Sequence, residues 1–190
     1  MSAHIELLRH GAITLFHKED VYQRAIEDLA ILGYEVLDWH FRDWTQFCAR
    51  VSDDLRFEES FGYTPWTGNM DALNDALAVQ PFSRTDGCVI GLPDYDAMDA
   101  GLNSQGWHIL DLIERHSRDY LLSGRRLIGL VLTRKEDGVF PALGGRAPLL
   151  NAREKPKGAG ATFDRSNVGR SRKDDFSVRA RRLKNMPTLR

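Results

Sequence analysis

The chain has 190 residues, 42% hydrophobic and 28% charged, the composition of one globular domain, alone or with a tail. No run approaches the ~20 apolar residues of a membrane helix, and Met1 to Arg9 is followed by no apolar stretch ending in small residues, so a soluble, cytoplasmic protein is expected. The 26 Lys and Arg against 27 Asp and Glu conceal an asymmetry: from Arg134 onward there are 15 basic and 6 acidic residues, a net of +9, which leaves the first 133 residues with 11 and 21, a net of −10.

Ile13 to Phe16 is a short β-prone run, and Val21, Ala25, Ile26, Leu29, Ala30 and Leu32 follow at helical spacing up to Gly33, a helix stop. Tyr34 to Trp39 reads as a second strand. Trp44, Phe47, Cys48, Val51 and Leu55 then make the apolar stripe of an amphipathic helix. The segment from Phe61 to Gly68 carries Gly, Pro and three aromatics and reads as a loop, after which Asn69 is placed to cap the next helix. Cys88 to Leu92 is an apolar run ended by Pro93, as expected of a strand buried on both faces, with Asp94, Asp96 and Asp99 behind it. Trp107, Leu110, Ile113, Tyr120 and Leu121 mark a longer helix, and Leu127 to Leu132 is another buried strand. Alternating strands and helices predict an α/β fold with a small, mostly parallel sheet of three to four strands joined by right-handed crossovers.

Beyond Thr133 the periodicity fails. Prolines, glycines and scattered Arg and Lys cannot bury enough surface to offset chain entropy, so residues 134–190 are expected to be a disordered basic tail and residues 1–133 the domain. Any contact with nucleic acid would run through this tail, whose Arg179, Arg181, Arg182 and Lys184 also suit a membrane surface or an acidic partner. Gly144-Gly145 and Gly158-Ala159-Gly160 follow no predicted strand and open no helix, and so are not phosphate cradles. Cys48 and Cys88 match neither a zinc site nor a redox pair and read as buried thiols. No nucleophile-elbow, zincin or P-loop pattern occurs, and His108, Asp111, Glu114 and His116 share a helix without ligand spacing, so no catalysis, metal or cofactor is expected. Trp39, Trp44 and Trp107 read as packing residues.

The chemistry-bearing segment is the helix opened by Asn69. Met70, Leu73 and Leu77 face the core, which leaves Asp71 and Asp75 together on another face. Two like charges four residues apart destabilise a helix by roughly 0.2 to 0.5 kcal/mol. The first turn favours an anion at Asp71, by roughly 0.3 to 1 kcal/mol, but not at Asp75. No Lys or Arg lies between Phe57 and Gln80, and Asp53, Asp54, Glu58 and Glu59 precede the loop, so the local field is uniformly negative and Asp75 has no stabilising partner within its segment. An ordinary solvated helix face seldom lacks a nearby cation in this way; the pattern suits a surface built to meet a cationic cleft.

The string Gly68-Asn69-Met70-Asp71-Ala72-Leu73-Asn74-Asp75-Ala76-Leu77 resembles the G-x-N-x-D-A-L-x-D-x-L signature of the barstar family of ribonuclease inhibitors. The order of predicted elements over residues 34–132 agrees, with Ile13 to Gly33 as an N-terminal extension. The resemblance implies a small α/β domain, monomeric when free, that binds a basic microbial ribonuclease and occludes its active site. Carried over position by position, it makes Asp71 and Asp75 the residues that enter the nuclease's phosphate-binding cleft, with Asp75 foremost. Gly68 and Asn69 are the motif residues that order the loop, and Glu114 falls near the family's acidic contact on the later helix. Trp66 is expected to touch the partner as an aromatic anchor. The Gly-to-Asn spacing is one residue shorter than in barstar, and Asn74 stands where barstar has a tryptophan. The alternative expectation is a non-inhibitory interaction module that uses the same acidic face for another basic partner.

Overall fold

A computed structural model describes Leu8 and residues 11–79, 85–101, 105–135, 142–143, 149–151 and 154. Five strands, β1 (Ile13–Phe16), β2 (Glu35–Asp38), β3 (Gly87–Leu92), β4 (Arg126–Leu132) and β5 (Leu149–Leu150), form one sheet in the order β2-β3-β4-β1-β5. Every pairing is parallel: Val36 lies opposite Val89, Ile90 opposite Gly129, Leu15 opposite Val131 and Thr14 opposite Leu149. Four main strands match the expected sheet, and the two-residue β5 adds an edge to it. Among the described residues these strands are accompanied by the helices α1 (Glu19–Ile31), α2 (Trp44–Asp54), α3 (Phe57–Phe61), α4 (Met70–Val79), α5 (Tyr95–Gly101) and α6 (Gln105–Leu122).

The period-2 alternation of the strands divides the core in two. Val89, Ile128 and Leu130 pack with Phe16, Tyr22, Ala25, Ile26 and Leu29 under α1. On the other face Cys88, Ile90, Leu92, Leu127 and Val131 meet the larger set supplied by α2, α4 and α6, including Phe47, Val51, Leu73, Leu77, Leu110 and Ile113. Both faces of the central strands are covered, which explains their continuous apolar sequences. Two glycines make the close layers possible. A Cβ at Gly129 would meet Ile13 Cδ1, and one at Gly91 would meet the Tyr22 hydroxyl and Asp38 Oδ1.

Cys48 and Cys88 are free, buried thiols. Burial pushes the Cys48 thiol up to about 11 and Cys88 higher still, so neither is a ready nucleophile. Trp39 is buried while Trp44 and Trp107 are half-buried packing residues. Leu121 departs from its expected core role and is 48% exposed, because the core stripe of α6 ends with Tyr120. α3 and α5, each under two turns, gave no periodic signal.

The domain boundary expected after residue 133 moves outward, since the compact unit runs from Met1 to Lys155. Leu143 and Asn151 are buried, β5 pairs with β1, and Asn151 N–H donates to Leu15 O at 2.8 Å. The physical reason is that β1 would otherwise expose a bare edge of a buried sheet. Residues 156–190, on which the expectations of disorder and of RNA, membrane or acidic partners mostly rest, lie outside the described residues. Among the described residues no helix is long and apolar enough to cross a membrane.

Candidate functional site

The chain into α4 is built from below. Trp66 is fully buried, 0% exposed, among Trp44, Phe47 and Phe57, with ring centroids 5.5, 6.2 and 6.2 Å away. Its backbone N–H donates to Ser52 Oγ, and its indole N–H donates to Asn69 O at 2.7 Å. That same carbonyl accepts the Leu73 N–H at 3.1 Å, the first intrahelical bond of α4. Gly68 has φ +95°, and a Cβ there would stand 2.9 Å from Trp44 Cζ2, so both conformation and space require glycine. Asn69 caps the helix as expected: its Oδ1 accepts the Asp71 N–H at 2.9 Å. Trp66 is therefore a correction to the sequence reading. A tryptophan locked beneath the loop by three rings and two hydrogen bonds orders the acidic helix and cannot touch a partner. Of the loop's aromatics, Tyr63 is the one left exposed, at 39%.

Asp71 and Asp75 stand exposed one turn apart on this anchored helix. Neither takes part in any ion pair among the described residues. Asp75 does have one neighbour in its own segment, contrary to the sequence reading: Asn74 Nδ2 donates to Asp75 Oδ1 at 3.3 Å. Asn74 in turn is half-buried, with its Oδ1 3.1 Å from Nε2 of His116 on α6. Further along, the Tyr120 hydroxyl donates to Leu77 O at 2.6 Å and clamps the end of α4 to α6. Burial raises the Tyr120 hydroxyl to about 12, so it stays protonated and a donor.

Glu114 is the second correction. It is 4% exposed, accepts the Ala12 N–H at 2.7 Å and pairs with Arg118 at 3.0 Å. A buried carboxylate with those partners closes the entry to β1 and belongs to the fold. Gly11, with φ +124°, brings the chain over it so closely that an added Cβ would lie 3.4 Å from Glu114 Oε2.

The carboxyl edge of the sheet is where open α/β folds bind ligands, at the point where neighbouring connections diverge. At that edge a cleft of about 330 Å³ is lined by His17, Glu19, Asp94, Asp96, Thr133 and Arg134. Several backbone and hydroxyl donors around it are taken by the chain's own acids. Glu154 accepts the N–H groups of His17 and Lys18 at 3.0–3.2 Å. Asp96 accepts the Thr133 hydroxyl at 2.5 Å and the Arg134 N–H at 2.8 Å, and Asp94 accepts the Phe41 N–H at 3.1 Å. His17 Nδ1 faces Thr133 O at 2.7 Å and must carry the proton there, because a carbonyl only accepts. At the end of β2, His40 lies between Asp38 and Asp94 at 3.1 and 3.3 Å, while the Tyr22 hydroxyl donates to Asp38 at 3.0 Å. Burial, then Asp38, pushes the Tyr22 hydroxyl far above its ordinary value. The sequence reading noted Asp94 and Asp96 but assigned them no role; an aspartate directly after a buried strand was the available signal. Glu154 carried none. Among the described residues no group of three His, Cys, Asp or Glu side chains is arranged to hold a metal ion.

No family model matches the chain, and no curated protein or solved structure is significantly similar to it.

Proposed function

We propose that the chain is a protein inhibitor that presents Asp71 and Asp75 on α4 to the cationic cleft of a microbial ribonuclease and blocks its active site, acting as a monomer when free and without catalysis of its own. One observation carries this reading: two exposed carboxylates one turn apart, with no cation paired to either among the described residues, on a helix whose start is fixed by Trp66, Gly68 and Asn69. Such carboxylates imitate successive phosphates, and Arg, Lys and protonated His of a nuclease would make charge-assisted bonds to them. The excess of acid before residue 134 would steer encounter with a basic partner at low salt. Tyr63, in the place intended for Trp66, is the aromatic the loop offers to such a partner.

A second reading keeps the face and changes the partner. Asn74, where barstar has a tryptophan, turns its carbonyl to His116, which removes an aromatic contact and favours another basic protein over a nuclease. RNA cleavage separates the two. Purified protein is mixed with basic microbial ribonucleases and cleavage is followed, wild type against Asp75→Ala. Inhibition by the wild type that weakens by roughly 2 to 5 kcal/mol in the variant supports the inhibitor. Full cleavage with every nuclease, or equal inhibition by both proteins, sinks it.

A further inference from the structure

Adjacent residues on a helix project about 100° apart, and their side chains do not normally meet. Asn74 and Asp75 nonetheless approach to 3.3 Å through Nδ2 and Oδ1. The chemistry of the three groups sets the direction of every bond. An ionised carboxylate only accepts, so Asn74 must turn its amide N–H toward Asp75 and its carbonyl toward His116. That carbonyl also only accepts, so the ring nitrogen 3.1 Å away, Nε2, must carry a proton. His116 is 7% exposed and cannot swing away without vacating its place between α4 and α6.

We infer that His116 and Asn74 form a relay that holds the Asp75 carboxylate in one orientation, making His116 a positioning residue for the binding helix. An exposed aspartate ordinarily samples several rotamers, and a partner must then bear the entropy of fixing it. Here the fixing is done in advance by a side chain on a neighbouring helix. The charged groups that act on His116 are Arg115 and Asp119 on α6 and Asp75 on α4. Protonation of the ring at Nδ1 leaves the Nε2–H in place, so the relay survives mild acid. The consequence for binding rests on the inhibitor reading above, whereas the relay itself does not.

The test uses the full chain in solution. The tautomer of His116 is read from its ring ¹⁵N shifts, and the rotamers of Asp75 from Cα–Cβ couplings, in wild type, His116→Leu, His116→Gln and Asn74→Leu. The expected result is an Nε2–H ring and a single Asp75 rotamer in wild type, retained in His116→Gln, whose amide can supply the same donor, and averaged rotamers in His116→Leu and Asn74→Leu. Affinity for a basic ribonuclease inhibited by the wild type should fall roughly 3- to 10-fold in His116→Leu and recover in His116→Gln. An Nδ1–H tautomer, averaged Asp75 rotamers in wild type, or a His116→Leu variant with unchanged rotamers and affinity overturns the relay. The wild-type measurements decide it even where a variant fails to fold. If no ribonuclease binds but the rotamer pattern holds, the relay stands and the inhibitor reading falls.

Discussion

Two acidic regions of this molecule treat their carboxylates in opposite ways. At the carboxyl edge of the sheet, Asp94, Asp96 and Glu154 each accept backbone or hydroxyl donors of neighbouring segments, and Asp38 takes the buried Tyr22 hydroxyl. On α4, Asp71 and Asp75 are set on a fixed helix and face solvent with no cation paired to them among the described residues. The first arrangement uses charge to close loops onto the sheet; it fills with internal carboxylates the place where a ligand's phosphate would sit in an open α/β fold. The second sets two like charges one turn apart with no cation paired to either among the described residues, which is the arrangement the proposed cationic partner would relieve.

The contrast predicts that structural damage and functional damage separate cleanly, and the largest effect should come from what lies under α4. Trp66→Ala removes the centre of a four-ring cluster and the indole donor to the Asn69 carbonyl. Chemical unfolding should show a loss of about 3 to 5 kcal/mol. A loss under 1 kcal/mol would mean that the α4 face is not anchored from below as described.

Next in size is the carboxyl edge. Glu154→Ala leaves the N–H groups of His17 and Lys18 without their acceptor and frees the segment that brings β5 to β1. The expected cost is about 1 to 3 kcal/mol, read by thermal unfolding, with amide exchange accelerated first at Thr14 and Leu15. Asp75→Ala measured alongside should cost no stability. If instead Glu154→Ala is silent, the domain ends before residue 154 and the sequence-based boundary at 133 was nearer the truth.

A smaller effect depends on pH. Burial, the largest influence, holds His116 below its ordinary 6.5, with Arg115 acting in the same direction and Asp119 opposing it. The unfolded chain therefore takes up a proton near pH 6.5 that the folded chain resists. Stability contributed by the neutral ring is present above pH 6.5 and is lost as the pH falls through the folded value. Between pH 7 and pH 5 the thermal midpoint should fall further in wild type than in His116→Gln. Parallel curves would show that His116 is more open to water than its 7% exposure implies.

What was legible beforehand follows the range of the interactions concerned. β3 and β4 announce themselves as Cys-Val-Ile-Gly-Leu and Leu-Ile-Gly-Leu-Val-Leu because burial on both faces writes a continuous apolar run. Asn69 as a cap and Asp71 with Asp75 on one face follow from spacing within a single helix, and the structure places them so. Trp66 was misread because its pocket is assembled from α2 and α3, while its own neighbours, Pro65 and Gly68, look like exposed loop. Glu114 was misread because its backbone partner, Ala12, is 102 positions away. β5 is two residues in a stretch rich in glycine and proline, too short to leave a period.

The smallest effect discriminates most sharply between the two acidic regions. Asp75 lies beyond the first turn of α4, where the helix dipole offers nothing, and stands four residues from Asp71. Asp75→Asn removes the repulsion and keeps an oxygen for the Asn74 amide, so stability should rise by about 0.2 to 0.5 kcal/mol, or about 1 °C in thermal midpoint. Asp71→Asn relieves the same repulsion but gives up a first-turn anion, and the two terms nearly cancel. At the carboxyl edge Asp96→Asn should do the reverse and lower stability, since the Thr133 hydroxyl and the Arg134 N–H each use one carboxylate oxygen and the amide replaces one of those two acceptors with an N–H donor. If Asp75→Asn also lowers stability, its carboxylate serves the fold as Asp96 does, and the α4 face has no surplus charge to give to a partner.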